Sequence, residues 1–114
     1  MHERLSLTDF PKVGKIVKKS DVYTVLDVRE LDNLVVSMTI LHPGKETSGH
    51  SHGEADEVYF FVKGDGVMQK DEVKMDVKKD DIVLIPKGAF HKVFNGSKAD
   101  LVFLSVFEKY GERS

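Results

Sequence analysis

The chain has 114 residues, 40% of them hydrophobic, with no cysteine and a formal net charge of -2. That length supports one compact core rather than two domains, the charge excludes a nucleic-acid binder working by bulk electrostatics, and the missing thiols exclude disulfides, zinc ribbons and cysteine nucleophiles. No apolar run approaches the roughly 20 residues of a membrane-spanning helix, and residues 1–6 are polar, unlike the apolar stretch of a secretion signal. The expectation is therefore a cytoplasmic protein without nucleic-acid or membrane partners.

In chain order, residues 1–20 come first, with a loose basic cluster of Lys12, Lys15, Lys18 and Lys19 beside Pro11 and Gly14. They read as a solvated arm lying along a sheet edge, ahead of a single domain over residues 21–114. Within that domain, short runs rich in Val, Ile, Phe and Tyr alternate with turn signals, and helical periodicity is missing. The predicted strands cover residues 22–26, 34–41 and 57–62, the last closed by a hairpin turn at Gly64-Asp65-Gly66. Residues 67–69 and 73–77 flank Lys70-Asp71-Glu72 as a hairpin, and Val73, Met75 and Val77 alternate with charged residues as in a half-buried strand. A strand over 82–85 stops at Pro86, another over 91–94 runs into the Asn95-Gly96 turn, and a last one over 101–107 is apolar enough to be covered on both faces. Such a series predicts an all-β sandwich or barrel.

The chemistry concentrates in one region. His50 and His52 are two residues apart, so on a strand both imidazoles point to the same face. Glu57, at the start of the next apolar run, can add a carboxylate oxygen, and His91, after the Pro86-Lys87-Gly88 turn, is the obvious distant donor. Imidazole and carboxylate together suit a transition metal. The other histidines read otherwise, His42 as a turn residue before Pro43 and His2 as part of a frayed terminus. Glu54 and Asp56 read as residues of a solvated loop.

These residues resemble the two sequence motifs of the cupin superfamily. Gly44, His50, His52, Glu57 and Gly64 fill the first, G-x5-H-x-H-x(3,4)-E-x6-G, and Pro86, Gly88, His91 and Asn95 match the second, G-x5-P-x-G-x2-H-x3-N. Asp80 stands where the second motif opens with glycine, and Asp tolerates the left-handed conformation better than most residues. The resemblance implies a double-stranded β-helix, the jelly-roll barrel of that superfamily. Inside it, His50, His52, Glu57 and His91 would hold one divalent metal: iron, manganese, nickel, copper, cobalt or zinc. A six-coordinate ion on four protein ligands keeps open positions for Lewis-acid or redox chemistry, and the lack of sulfur ligands argues against a closed structural zinc site.

If Glu57 points inward, alternation sends Tyr59 and Phe61 inward as well. Tyr59 is then a candidate for proton transfer, and Phe61, Met38 and Phe103, with Ile40, are candidate barrel lining in contact with substrate. The resemblance implies an enzyme acting on a small oxygenated metabolite, with oxygenase-type chemistry favoured, and a homodimer. Two alternatives stand beside it. The His50 to Gly66 region and the strand from Leu101 are similar to the metal region of archaeal cupin-type glucose-6-phosphate isomerases, which suggests a sugar-phosphate isomerase. A small cupin can also be a non-catalytic binding or sensor module.

Overall fold

β-Branched and aromatic residues at alternating positions favour strands, because their side chains pack well on a pleated surface. The computed structural model describes residues 2–51, 53 and 55–109. Among them the chain runs α1 (Phe10–Val13), β1 (Lys15–Lys19), β2 (Tyr23–Val28), β3 (Leu34–Leu41), β4 (Glu57–Lys63), β5 (Asp65–Lys70), β6 (Val73–Lys78), β7 (Ile82–Ile85), β8 (His91–Phe94) and β9 (Leu101–Glu108). These strands form a six-stranded sheet in the order β1-β2-β3-β9-β4-β7 and a three-stranded sheet in the order β6-β5-β8. All the pairings are antiparallel. The fold is all-β, a double-stranded β-helix.

The main core lies between the sheets. Leu41, Tyr59, Phe61, Val83, Ile85, Leu101 and Phe103 come from the larger sheet, and Met68, Val77 and Val93 from the smaller one. Burying each large apolar side chain contributes about 1.5–3 kcal/mol, so this layer is the main cohesive element. A second cluster sits on the outer face of the larger sheet, where Phe10 of α1 packs with Leu26 and Met38 against Val28, Val36, Ile40, Val102 and Leu104. Phe10 is the anchor that α1 provides. β9 is thereby covered on both faces, as its apolar sequence suggests.

Three sequence expectations need correction. Met38 and Ile40 do not line the barrel. They belong to the outer cluster, while Val35, Ser37, Thr39 and Leu41, the buried alternate residues of β3, form the inner face. A strand apolar on both faces carries no phase, and the polar Ser37 and Thr39 suggest the wrong one.

Gly64-Asp65-Gly66 is not a hairpin turn. β4 pairs with β7 and β9, whereas β5 pairs with β6 and β8, so the chain changes sheets at Gly64. Gly64 has φ +90°, and a Cβ there would lie 2.6 Å from the Asp100 carbonyl oxygen. That corner admits only glycine without strain. It adjoins an irregularity in the β4–β9 register between Phe61 and Lys63, as expected where a strand bends sharply.

His2 is not frayed. Its backbone N–H donates to Glu30 Oε1 at 2.6 Å, and its ring Nδ1 lies 2.8 Å from Glu30 Oε2. Nearby, β1 pairs with β2 at the edge of the larger sheet, with all five of its residues exposed.

Smaller features follow from local chemistry. The β5–β6 loop is the two-residue Asp71-Glu72, with Asp71 at φ +51°. Asp80 has φ +78°, so an aspartate adopts the left-handed turn where the cupin motif has glycine. Val73 is 59% exposed, so only the far end of β6 contributes to the core. No helix among the described residues is long and apolar enough to cross a membrane.

Candidate metal centre

The site is built where the loop between β3 and β4 folds back along β8. Asn95 N–H donates to the Lys45 carbonyl at 2.8 Å, Thr47 N–H to the Val93 carbonyl at 2.9 Å, and Val93 N–H to Thr47 Oγ1 at 3.0 Å. His50 and His91 then exchange both backbone bonds, His50 N–H to the His91 carbonyl at 3.1 Å and His91 N–H to the His50 carbonyl at 2.9 Å. From Thr47 to His50 the loop advances one residue more than β8 does from Val93 to His91. Gly49, at φ +77°, takes up that slack, and a Cβ on it would sit 2.7 Å from the Phe90 ring. This backbone pairing puts the two imidazoles edge to face, with centroids 4.6 Å apart.

His91 is also held from its other side. After Pro86, Ala89 N–H donates to the Pro86 carbonyl at 3.1 Å with Gly88 at φ +87°, the positive φ that a type II turn requires at its third position. The Lys87 N–H donates to Asp56 Oδ1 at 2.8 Å, so Asp56, read from sequence as a solvated loop residue, is exposed yet fixes the turn. Asp71 of the β5–β6 loop binds the backbone of Phe90 through two hydrogen bonds, one from the Phe90 N–H to Asp71 Oδ1 at 3.0 Å and one from the Asp71 N–H to the Phe90 carbonyl at 2.8 Å.

Asn95 secures the far end of β8. Its Nδ2 donates to the carbonyls of Leu41, His42 and Ala99 at 2.9, 3.2 and 2.8 Å. Its Oδ1 accepts from the N–H and hydroxyl of Ser97.

The donor atoms converge in the interior. One ligand atom from each of His50, Glu57 and His91 lies within 4.8 Å of the others, with Glu57 and His91 buried and His50 half-buried. His91 Nδ1 lies 3.1 Å from the Ala89 carbonyl, and a carbonyl only accepts, so Nδ1 carries the proton. In neutral His91, Nε2 then presents its lone pair, and Glu57 Oε1 stands 3.5 Å from it. Glu57 Oε2 accepts from Ser105 Oγ at 2.8 Å. Two acceptors aimed at one another, each ligand held from behind by a hydrogen bond, is an arrangement that suits a cation between them. The donor set fits a divalent transition metal. His52, the other ligand that the resemblance implies, lies outside the described residues.

Tyr59 and Phe61 face inward with Glu57 on β4. The Tyr59 ring stands edge-on to His91 at 5.6 Å between centroids and stacks on Phe103 at 4.9 Å, and Phe61 packs against Phe103 at 5.3 Å. The structure thus brings Tyr59, Phe61 and Phe103 to one wall beside the ligands and leaves Met38 on the opposite face of its sheet. Sequence reasoning missed Ser105 and the buried Asp27 and Ser37. Their only signal is polarity within otherwise apolar strands. His42 is a turn residue whose Nδ1 pairs with Asp100 Oδ1 at 3.1 Å.

The fold and these converging side chains define a small β-barrel protein with a candidate His/Glu metal centre. The family profile for the cupin domain matches residues 37–107, and the chain belongs to the cupin family. It is 35% identical over 65 residues to a protein of Methanocaldococcus jannaschii, covering 57% of this chain and 52% of that one. It is 30% identical over 66 residues to an oxalate-binding protein of Thermotoga maritima, covering 58% and 54%. These matches span about half the length of the curated relatives. Among solved structures, a sugar phosphate isomerase of the cupin superfamily from Silicibacter pomeroyi superposes with a TM-score of 0.72 at 24% identity, covering 79% of this chain and 61% of that one. That last likeness is one of fold.

Proposed function

We propose that the protein is a metal-dependent enzyme acting on a small oxygenated metabolite, with oxygenase-type chemistry favoured. The observation that carries this reading is the convergence of His50, Glu57 and His91 within 4.8 Å, with the protonated nitrogen of His91 turned away onto Ala89. The cupin motif that the sequence resembles implies His52 as a fourth ligand. A bound divalent transition metal supplies Lewis acidity or redox capacity at positions the protein does not fill. The chain's own residues orient and enclose the reactants. Phe61 and Phe103 exclude water and line the substrate side, and Tyr59, its ring edge-on to His91, would hold or move a proton at its hydroxyl. The name of the Thermotoga maritima relative is consistent with this class, since oxalate is a small chelating oxyanion.

A second reading, isomerisation of a sugar phosphate, draws on the same Tyr59 placement and on the similarity of the His50 to Gly66 region to archaeal isomerases. The partner is a second copy of the chain. Val58, Ile82 and Leu84 are 36%, 57% and 65% exposed on the outer face of β4 and β7, with Val58 opposite Leu84 and Phe60 opposite Ile82. This apolar patch, with the Lys70 ammonium on the Leu84 carbonyl at its edge, can meet itself across a two-fold axis.

Metal content by mass spectrometry on protein purified without chelators tests the central claim. About one equivalent of metal per chain is expected, and His91→Ala should weaken binding by more than about 100-fold, beyond what loss of a supporting residue costs. Retention of metal by that variant would overturn the ligand set. Oxygen uptake with hydroxy-carbonyl substrates supports the oxygenase reading, proton exchange with sugar phosphates the isomerase. Tight ligand binding without product in either assay would show a sensor.

A further inference from the structure

A histidine ligand that donates its second ring nitrogen to a carbonyl is only as well aimed as the peptide carrying that carbonyl. For His91 the peptide is Ala89–Phe90, whose carbonyl lies 3.1 Å from Nδ1. A peptide unit is planar, so a group that holds the N–H on its other side also orients the carbonyl. That N–H belongs to Phe90, and it donates to Asp71 Oδ1 at 3.0 Å. β5 pairs with β8 with Lys70 opposite His91, which makes Asp71 and Phe90 the next pair, just past the start of β8. In a regular antiparallel pair that is hydrogen-bonded, the two residues exchange both N–H to carbonyl bonds. One of these runs from the Asp71 N–H to the Phe90 carbonyl at 2.8 Å. For the other, the side-chain carboxylate stands in for the Asp71 carbonyl. That carbonyl accepts instead from Gln69 Nε2 at 2.9 Å, in a loop where Asp71 takes φ +51°.

We propose that Asp71 is a positioning residue for His91, acting through the Ala89–Phe90 peptide. The carboxylate fixes the plane of that peptide and polarises it. The carbonyl then retains the Nδ1 proton, and Nε2 is left aimed at Glu57 Oε1, 3.5 Å away. Each step has its own donor and acceptor, the Phe90 N–H on the carboxylate and the His91 Nδ1–H on the Ala89 carbonyl. Phe90 carries the effect to the other histidine as well. Its ring lies against Gly49, where an added Cβ would come within 2.7 Å of it, and Gly49 immediately precedes His50. Asp71 is exposed, so the site is set from the outer end of the barrel. The inference rests on the reading of His91 as a metal ligand. It goes beyond that reading by giving a function to a hairpin that carries none of the named ligands.

The experiment combines two measurements on the purified chain, with circular dichroism melts as the check on folding. Nitrogen NMR of the His91 ring in metal-free protein, at a pH where the imidazole is neutral, reads which nitrogen holds the proton. Titration with cobalt(II) alone reads affinity and the visible ligand-field spectrum. Asp71→Gly removes the carboxylate and tolerates the positive φ without strain, whereas Asp71→Asn keeps both an acceptor oxygen and that conformation. The parent should show the proton on Nδ1. Asp71→Gly should give a mixture of the two tautomers, weaken cobalt binding by about 10-fold and shift the visible bands, and Asp71→Asn should recover most of each. Parent-like ring signals and affinity in Asp71→Gly, or an equal loss in Asp71→Asn, overturns the role of Asp71 while leaving the metal centre intact. If the parent binds no cobalt, the reading of His91 as a ligand falls, and the ring signals of metal-free protein decide the Asp71 tie by themselves. Should Asp71→Gly fail to fold, Asp71→Ala takes its place and is read by the same ring signals.

Discussion

At the scale of single residues, the site depends on groups that touch no ligand position. Asn95 is 1% exposed, and one side-chain amide serves three carbonyls drawn from β3, its following turn and the turn before β9. Asn95→Ala leaves those buried acceptors without a donor, each at a cost of about 1–3 kcal/mol where water cannot enter. We expect a loss of about 3 kcal/mol in urea unfolding, with a reduced cobalt affinity because the end of β8 loosens. An unchanged midpoint would mean that water replaces the amide. The sequence motif pointed to Asn95, but through a resemblance. The physical reason for an asparagine there becomes visible only with the three carbonyls in place.

At the scale of elements, the N-terminal segment is tied to the domain by Phe10, by the β1–β2 pairing and by the His2–Glu30 contact. The His2 backbone N–H, and after it the His2 ring, hold the Glu30 carboxyl below its ordinary value of 4.5. A carboxyl whose folded value is depressed stabilises the docked arm above its unfolded pKa and stops doing so as pH falls through the folded one. The tie is therefore present above 4.5 and lost as pH falls through the lowered folded value. Methyl NMR signals of Leu5 and Leu7 should move with a midpoint below 4.5 and stay flat over that range in Glu30→Gln. The same movement in the variant would show that Glu30 does not hold the arm.

The second lesson at this scale concerns β3 and the loop after it. Alternation is a local property, so the inward direction of Glu57, Tyr59 and Phe61 could be stated from β4 alone. The phase of β3 could not, because Phe10, remote in sequence, supplies the apolar cover that lets Met38 and Ile40 face away from the barrel.

At the scale of the whole molecule, Val58, Ile82 and Leu84 form one of the exposed apolar surfaces among the described residues. Leu84→Lys places a charge at a 65% exposed position, so it should leave the melting temperature of the monomer nearly unchanged while separating the pair. Sedimentation equilibrium should give twice the chain mass for the parent and the single mass for the variant. A parent that sediments as a monomer would remove the second copy from the account.

The all-β class and most strand positions were determined by sequence alone, because they rest on periodicity within short stretches, and the candidate donors were named by their spacing together with the resemblance to the two cupin motifs. Tertiary structure decided what distance along the chain conceals. It paired residues 45–50 with β8 so that His50 meets His91. It turned Gly64 into a corner between sheets, and it aligned Asp27, Ser37 and Ser105 across strands remote in sequence. Register between distant antiparallel strands follows from the closing of the whole barrel, and no local window of residues carries that information.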